Sequence, residues 1–372
     1  MGLAIVYGTG TAQAAVASES LFRRGSPKLG AIPSFRYCSH RCSISTQHRI
    51  HRQSRSYCLT RALASDAEQQ PPMLAVVGSL NADLLLEVPR LPSPGETLSA
   101  GGGTWIPGGK GANQAAAAGK LGCSTSMIAQ VGTDSHAGML LEAVSGCGVS
   151  TAMVATADGP TGQAIIMLQP SGENSIVIVG GANQMWIQPA GEALQVVSQA
   201  RALLLQREVP ESVNLAAAAA AKQGNCLVVL DAGGDSSPIS TDLLRCVDIL
   251  SPNETELARL TGMPTGSDKD VVAAAQTLLA QGVQQILVKL GAQGSMLVSA
   301  DGVLRRSAIP VSQVVDTTAA GDAFTAAYVV AILEGNSEKD ALGFAAAASS
   351  VCIQRRGAIP SLPSRAEVES AL

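Results

Sequence analysis

The chain has 372 residues, enough for one large domain or two modest ones with a sizeable core. Hydrophobic residues make up 46%, charged residues 15% and aromatics 3%, and the formal net charge is −4. The acidic part beyond residue 66 argues against nucleic acid as the main ligand, and no stretch reaches the ~18 apolar residues that span a bilayer.

Residues 20–65 hold no Asp or Glu but do hold Arg23, Arg24, Lys28, Arg36, Arg41, Arg49, Arg52, Arg55 and Arg61, with many Ser. Arg-rich, Ser-rich and acid-free is the composition of an organelle transit peptide. A disordered leader over residues 1–68 is expected; the rival is a basic tail that binds something. Cys38, Cys42 and Cys58 lie within it, and the other five cysteines are odd in number and form no C-x-x-C. They read as reduced thiols without a zinc site.

Leu74 to Gly78 opens the fold as a buried strand, with Asn81 and Asp83 just after it, and Leu84 to Val88 is a second strand. Pro107 to Gln114 then runs through glycines and Lys110 into an Ala-rich helix that ends near Gly122. It is not a Walker A loop, because Lys110 is followed by Gly. Strand (Met127–Ala129) and helix (Ala137–Ser145) follow, then a hairpin from Gln163–Gln169 and Ser175–Val179, a candidate lid. Further strand–helix units run through Leu203–Leu205, Cys226–Leu230, Ile249–Ser251 and Ile286–Leu290. The alternation implies a mostly parallel, doubly covered sheet, with ligands at the strands' carboxyl ends.

Asp316-Thr317-Thr318-Ala319-Ala320-Gly321-Asp322 precedes the apolar run Ala323 to Leu333, a buried helix. Small residues at 319–321 leave backbone amides uncovered at a helix N-terminus, where anions bind. Asp322 beside such an anion makes sense as a base that takes a proton from an attacking hydroxyl. The plainer reading is a helix cap.

Four pieces now stand in order: Asn81-x-Asp83, Gly108-Gly109-Lys110-Gly111-Ala112-Asn113-Gln114, Asn253-Glu254-Thr255-Glu256, and the Asp316–Asp322 stretch. Together they resemble the PfkB carbohydrate-kinase family, and within it the ribokinases, over about residues 73–368. The resemblance implies an α/β fold, a three-layer Rossmann-like sandwich with a small β-sheet lid from about 83–107 and 161–180. It implies phosphorylation of D-ribose at O5 by ATP, with magnesium and potassium, in a homodimer joined through the lid strands. With the leader, it implies a chloroplast protein, or else a mitochondrial one.

The resemblance also assigns roles. Asn81, Asp83, Gly109, Lys110, Asn113 and Glu208 match positions that hold sugar hydroxyls. Asp322 matches the base, with the amides of Ala319, Ala320 and Gly321 as the anion hole. Asn253 and Glu256 match an element that supports magnesium through water. Lys289, Leu290, Gly291, Ala292, Gln293 and Gly294 match the nucleotide-binding strand end. Asp316, Thr318, Cys352, Arg355, Gly357 and Ser361 match a potassium site built largely from backbone carbonyls. Two places depart from the family's usual wording: Lys289 stands where Thr or Ser is common, and Asp231-Ala232-Gly233-Gly234 where Asn-Pro-Ala-Pro is common. The rivals are another sugar or nucleoside kinase of the family, such as a fructokinase or a pseudouridine kinase, and a non-catalytic PfkB-like protein. Loss of the base or of the anion-hole glycine would mark the latter, and both are present.

Overall fold

The computed structural model describes residues 72–170, 174–186 and 189–372; the expected leader over 1–68 lies outside them. β1 (Leu74–Val77) is fully buried and passes through Gly78 to Leu80 into β2 (Asn81–Glu87). β3 (Gly102–Gly108) pairs antiparallel with β2 and delivers the chain to α1 (Lys110–Lys120). β4 (Thr125–Val131), α2 (His136–Ser145) and β5 (Val149–Thr156) build one edge of the main sheet. β6 (Gly162–Leu168) and β7 (Asn174–Val179) form the hairpin, with β6 parallel to β2.

The second half continues with α3 (Gly191–Gln199), β8 (Ala202–Arg207), α4 (Glu211–Gln223), β9 (Leu227–Gly234) and α5 (Thr241–Leu244). Then come β10 (Ile249–Ser251), α6 (Glu254–Thr261), α7 (Asp268–Leu279) and β11 (Gln285–Lys289). β12 (Ser295–Ser299) and β13 (Gly302–Arg306) precede α8 (Ala320–Leu333), α9 (Glu338–Cys352) and α10 (Arg365–Ser370).

The main sheet has nine strands in the order β13-β12-β11-β10-β9-β8-β1-β4-β5, and a separate four-stranded sheet runs β3-β2-β6-β7. Seven adjacent strands of the main sheet, β11 through β5, are parallel. Their apolar runs are buried on both faces because helices cover both. Leu74, Val76 and Leu204 face a core shared with α1, α8 and α9, while Ala75, Val77, Leu203 and Leu205 face α3, α4, α6 and α7. Alanine dominates α1, α8 and α9, which lets these helices lie close to the sheet and to one another. The strands β12 and β13 run antiparallel. Their connections are a few residues long, and a parallel crossover needs a dozen or more.

The architecture expected from the strand–helix alternation is the one observed, with the small sheet formed by the two lid segments. Asn81 and Asp83, expected just past a strand, lie inside β2 of the small sheet. The edge strand β7 presents Ile176, Val177, Ile178 and Val179, each 45–57% exposed. An exposed apolar edge is a template for strand pairing.

Candidate active site

The carboxyl ends of β1, β8, β9 and β11 meet the N-termini of α1 and α8. Gly109 makes the entry to α1 possible: its φ is +92°, and a Cβ there would lie 2.8 Å from the Asn81 amide nitrogen. Glu208, just past β8, fastens the corner. Its Oε2 accepts from the Ser79 hydroxyl (2.6 Å) and from the Lys110 amide (3.0 Å). Ser79 in turn accepts from the Gly111 amide at 3.2 Å. Half of the Glu208 carboxylate thus fixes backbone.

Asp83 is buried in β2, and its Oδ1 has no hydrogen-bond partner among the described residues. Burial, with Glu208 nearby, pushes its carboxyl up to about 7. Asn113 Oδ1, on α1, is likewise buried and unpartnered. Orphaned buried acceptors are costly in a folded protein and call for a donor. Hydroxyls of a polyol are such donors. Asn81 has its Oδ1 taken by Asn183 at 2.7 Å, and its NH2 group donates to no acceptor among the described residues.

Asp322 sits in the first turn of α8, buried, with both oxygens engaged: Asn113 donates to Oδ2 (2.9 Å) and Gln114 to Oδ1 (3.1 Å). Burial is the main cause that pushes its carboxyl up to about 6; the Lys110 ammonium opposes this and the Asp231 carboxylate adds to it. The same Asp322 charge is the chief reason that Lys110 holds its proton far above the ordinary range, against its own burial. A base with a pKa near 6 is ionised at neutral pH yet still takes a proton readily.

Ala319, ahead of α8, lies in the left-handed region (φ +60°), a conformation that costs a non-glycine residue energy and collects at functional sites. The Ala320 amide is committed to the Thr317 carbonyl at 3.2 Å. The amides of Ala319, Gly321 and Asp322 have no protein acceptor among the described residues. Of the expected hole, Ala319 and Gly321 are therefore open, Ala320 is occupied, and Asp322 joins them.

A mostly apolar cavity of about 530 Å³ opens beside this turn, lined by Gly291, Ala292, Gly294, Ile309, Ala320, Gly321 and Phe324 among others. A second, of about 950 Å³, lies between the small sheet and the 314–318 segment. Asp231 is buried within β9 and holds Lys289, at the end of β11, at 2.6 Å. The two departures from the family's wording are thus in contact with each other.

Asn253 and Glu256 form a capping box on α6: Asn253 Oδ1 accepts from the Glu256 amide (2.7 Å), and Glu256 Oε2 from the Asn253 amide (2.8 Å). The pair shares a helix N-terminus, not an exposed face alone. Asp316 stitches two turns: its Oδ1 accepts from the Thr318 amide and hydroxyl (2.9 and 2.6 Å), its Oδ2 from the Gly357 amide (2.9 Å). Cys352 Sγ lies 3.1 Å from Ser361 Oγ and 3.7 Å from the Thr318 carbonyl. The Arg355 side chain turns away to Glu367, so only its backbone is on offer.

Sequence reasoning missed Asn183, which clamps Leu80 and Asn81, and the chain Gln206–Gln114–Asp322. Neither Asn183 nor Gln206 sits in a motif with a spacing of its own. The Asn-x-x-Glu spacing, by contrast, is a capping-box signal in its own right.

A buried carboxylate, open amides at a helix N-terminus and two adjoining cavities fit a phosphotransferase site in a three-layer sandwich. Residues 71–365 match the pfkB family carbohydrate kinase model. The chain belongs to that family. It is 48% identical over 310 residues to an Arabidopsis thaliana ribokinase, covering 82% of each. It is 37% identical over 296 residues to a Haemophilus influenzae ribokinase, covering 79% of this chain and 96% of that one. Among solved structures it is similar to the Arabidopsis thaliana ribokinase complexed with ribose and ATP. That match has a TM-score of 0.78 at 48% identity and covers 81% of this chain and 98% of that one.

Proposed function

We propose that this chain transfers the terminal phosphoryl group of ATP to O5 of D-ribose, giving D-ribose 5-phosphate. The observation that carries the reading is the Asp322 carboxylate, held by two amides beside open backbone N–H groups. Ribose hydroxyls donate to Asp83 and Asn113 and accept from Asn81 and Lys110. The primary hydroxyl is left at Asp322, which takes its proton. The O5–phosphorus bond forms as the bond from phosphorus to the β–γ bridging oxygen breaks, and ADP leaves with that electron pair. The amides of Gly321 and Asp322 stabilise the charge on the equatorial oxygens. A phosphoryl-transfer assay over ribose, fructose, adenosine and pseudouridine tests the reading. Ribose should give the highest kcat/KM, and preference for any other acceptor overturns it.

Magnesium would shield the phosphates and, as a rule, keeps several waters. Glu256 fits a water-mediated contact, since its Oε1 accepts no hydrogen bond among the described residues. Potassium suits the 316–361 region, where a carboxylate and backbone carbonyls offer hard oxygen donors. Replacing tetramethylammonium with potassium, at fixed magnesium and ionic strength, should raise kcat several-fold, and Asp316→Ala should blunt the response. Equal activity without a small monovalent cation would refute the site.

The exposed β7 edge supports a homodimer that pairs lid strands. Ile178→Lys should yield monomers in sedimentation; a parent already monomeric at micromolar concentration contradicts the dimer. For the leader, a fluorescent fusion of residues 1–70 should enter chloroplasts, and cytosolic signal would refute that assignment.

A further inference from the structure

Four charges are packed at the site: the carboxylates of Asp231 and Asp322 and the ammonium groups of Lys110 and Lys289. The base, the sugar slot and the cations account for Asp322 and Lys110; Lys289 is matched only to the nucleotide-binding strand end as a whole, and Asp231 to no role. Their side chains are 2% and 14% exposed, and Lys289 Nζ lies 2.6 Å from Asp231 Oδ2. The same oxygen accepts from the Thr325 hydroxyl at 3.2 Å, and Oδ1 accepts from the Gly233 amide at 2.9 Å. Asp231 is therefore pinned from β9 and α8, and it pins Lys289 in turn.

The pinned position is informative. A Cβ built on Gly321 would lie 3.8 Å from Lys289 Nζ, so the ammonium stands against the open amide of the anion hole. Lys289 also lines the 530 Å³ cavity with Gly291, Ala320 and Gly321. On the other side of Asp231, a Cβ at Gly233 would lie 2.8 Å from Lys110 Nζ and 2.9 Å from Asp231 Oδ1. One carboxylate thus has an ammonium group near each of its oxygens, Lys289 at Oδ2 and Lys110 beside Gly233 and Oδ1. An ammonium has three N–H donors. Lys289 spends one on Asp231, and the others have no protein acceptor among the described residues.

We infer that Lys289 is a further catalytic residue, an ammonium that contacts the phosphoryl group in transfer, and that Asp231 is the positioning residue that holds it against the anion hole. The inference rests on the phosphoryl-transfer reading. As O5 bonds to phosphorus and the bridging oxygen leaves with its electron pair, charge on the equatorial oxygens meets the two free N–H donors of Lys289. An ammonium does this without moving, because Asp231 has already fixed it. Asp231 also bears on the base: its charge is among the causes that raise the Asp322 carboxyl, while Lys289 and Lys110 keep Asp231 itself ionised despite burial.

The rival is an ion pair that serves the fold alone, and the two differ in what removing both charges does. The test compares Lys289→Met, Asp231→Asn and the double variant with the parent, by ribose-dependent ADP release, thermal melting and nucleotide binding. Lys289→Met should lower kcat on the order of 10²-fold, the usual loss for one donor to a developing oxyanion. The Kd for ATP should rise roughly tenfold, as for a charge-assisted hydrogen bond, while the Kd for AMP stays within about twofold. Asp231→Asn should move the acid limb of kcat to lower pH, because a negative neighbour of Asp322 is gone. In the double variant the melting temperature should return toward the parent's while kcat stays low. Recovery of kcat together with stability overturns the inference, as does a Lys289→Met enzyme within about threefold of the parent. The ATP-against-AMP comparison needs no sugar, so a wrong acceptor and a wrong role for Lys289 give different results.

Discussion

Asp322→Asn is expected to lower kcat for ribose phosphorylation by roughly 10²–10⁴-fold, the usual contribution of a general base. Asn has nearly the same shape and can occupy the first turn of α8, but it cannot take a proton. Asn113 and Gln114 both donate to the native carboxylate, so one donor would face the new NH2 group. Asn113 can flip to answer it, because its Oδ1 is otherwise unpartnered. Loss of the repulsion from Asp231 and loss of the attraction to Lys110 oppose each other. The melting temperature should thus stay close to the parent's, and ribose and ATP should still bind. Turnover near the parent's would remove Asp322 from the chemistry, and unfolding would make it a structural cap.

The second large effect concerns the sugar. Asp83→Ala should raise the Michaelis constant for ribose at least tenfold and leave that for ATP nearly unchanged, since each hydrogen bond to a charged group is worth roughly 1.5–3 kcal/mol. Equal effects on both substrates would make Asp83 structural. Its carboxyl, pushed up to about 7, also sets a pH dependence. The ionised form accepts from hydroxyls, so kcat/KM for ribose should fall as pH drops through about 7, and Asp83→Asn should leave only the limb near 6 that Asp322 sets. The stability sign is the reverse. The folded state keeps this proton to higher pH than the unfolded chain, where the ordinary value is 3.8. Ligand-free stability from this group therefore declines between those values as pH rises.

The main sheet and α8 were legible in the sequence because apolar runs such as Leu74–Val77 and Ala323–Leu333 mark elements buried on both faces. The Asp316–Asp322 stretch was legible because small residues ahead of an apolar helix leave amides bare. Contacts that depend on strand order were not. Asp231 and Lys289 are 58 residues apart and meet only because β9, β10 and β11 lie side by side. Asn183 reaches Asn81 only once β6 has paired with β2. The commitment of the Ala320 amide to Thr317 follows from the left-handed turn at Ala319, and nothing in an alanine announces a positive φ.

The most direct measurement is phosphorus–proton correlation NMR of the product formed from ribose and ATP with magnesium and potassium present. The account predicts ribose-dependent ADP release and a single sugar phosphate whose phosphorus couples to the two C5 protons. A product phosphorylated at any other carbon, or no ribose-dependent ADP, would contradict it.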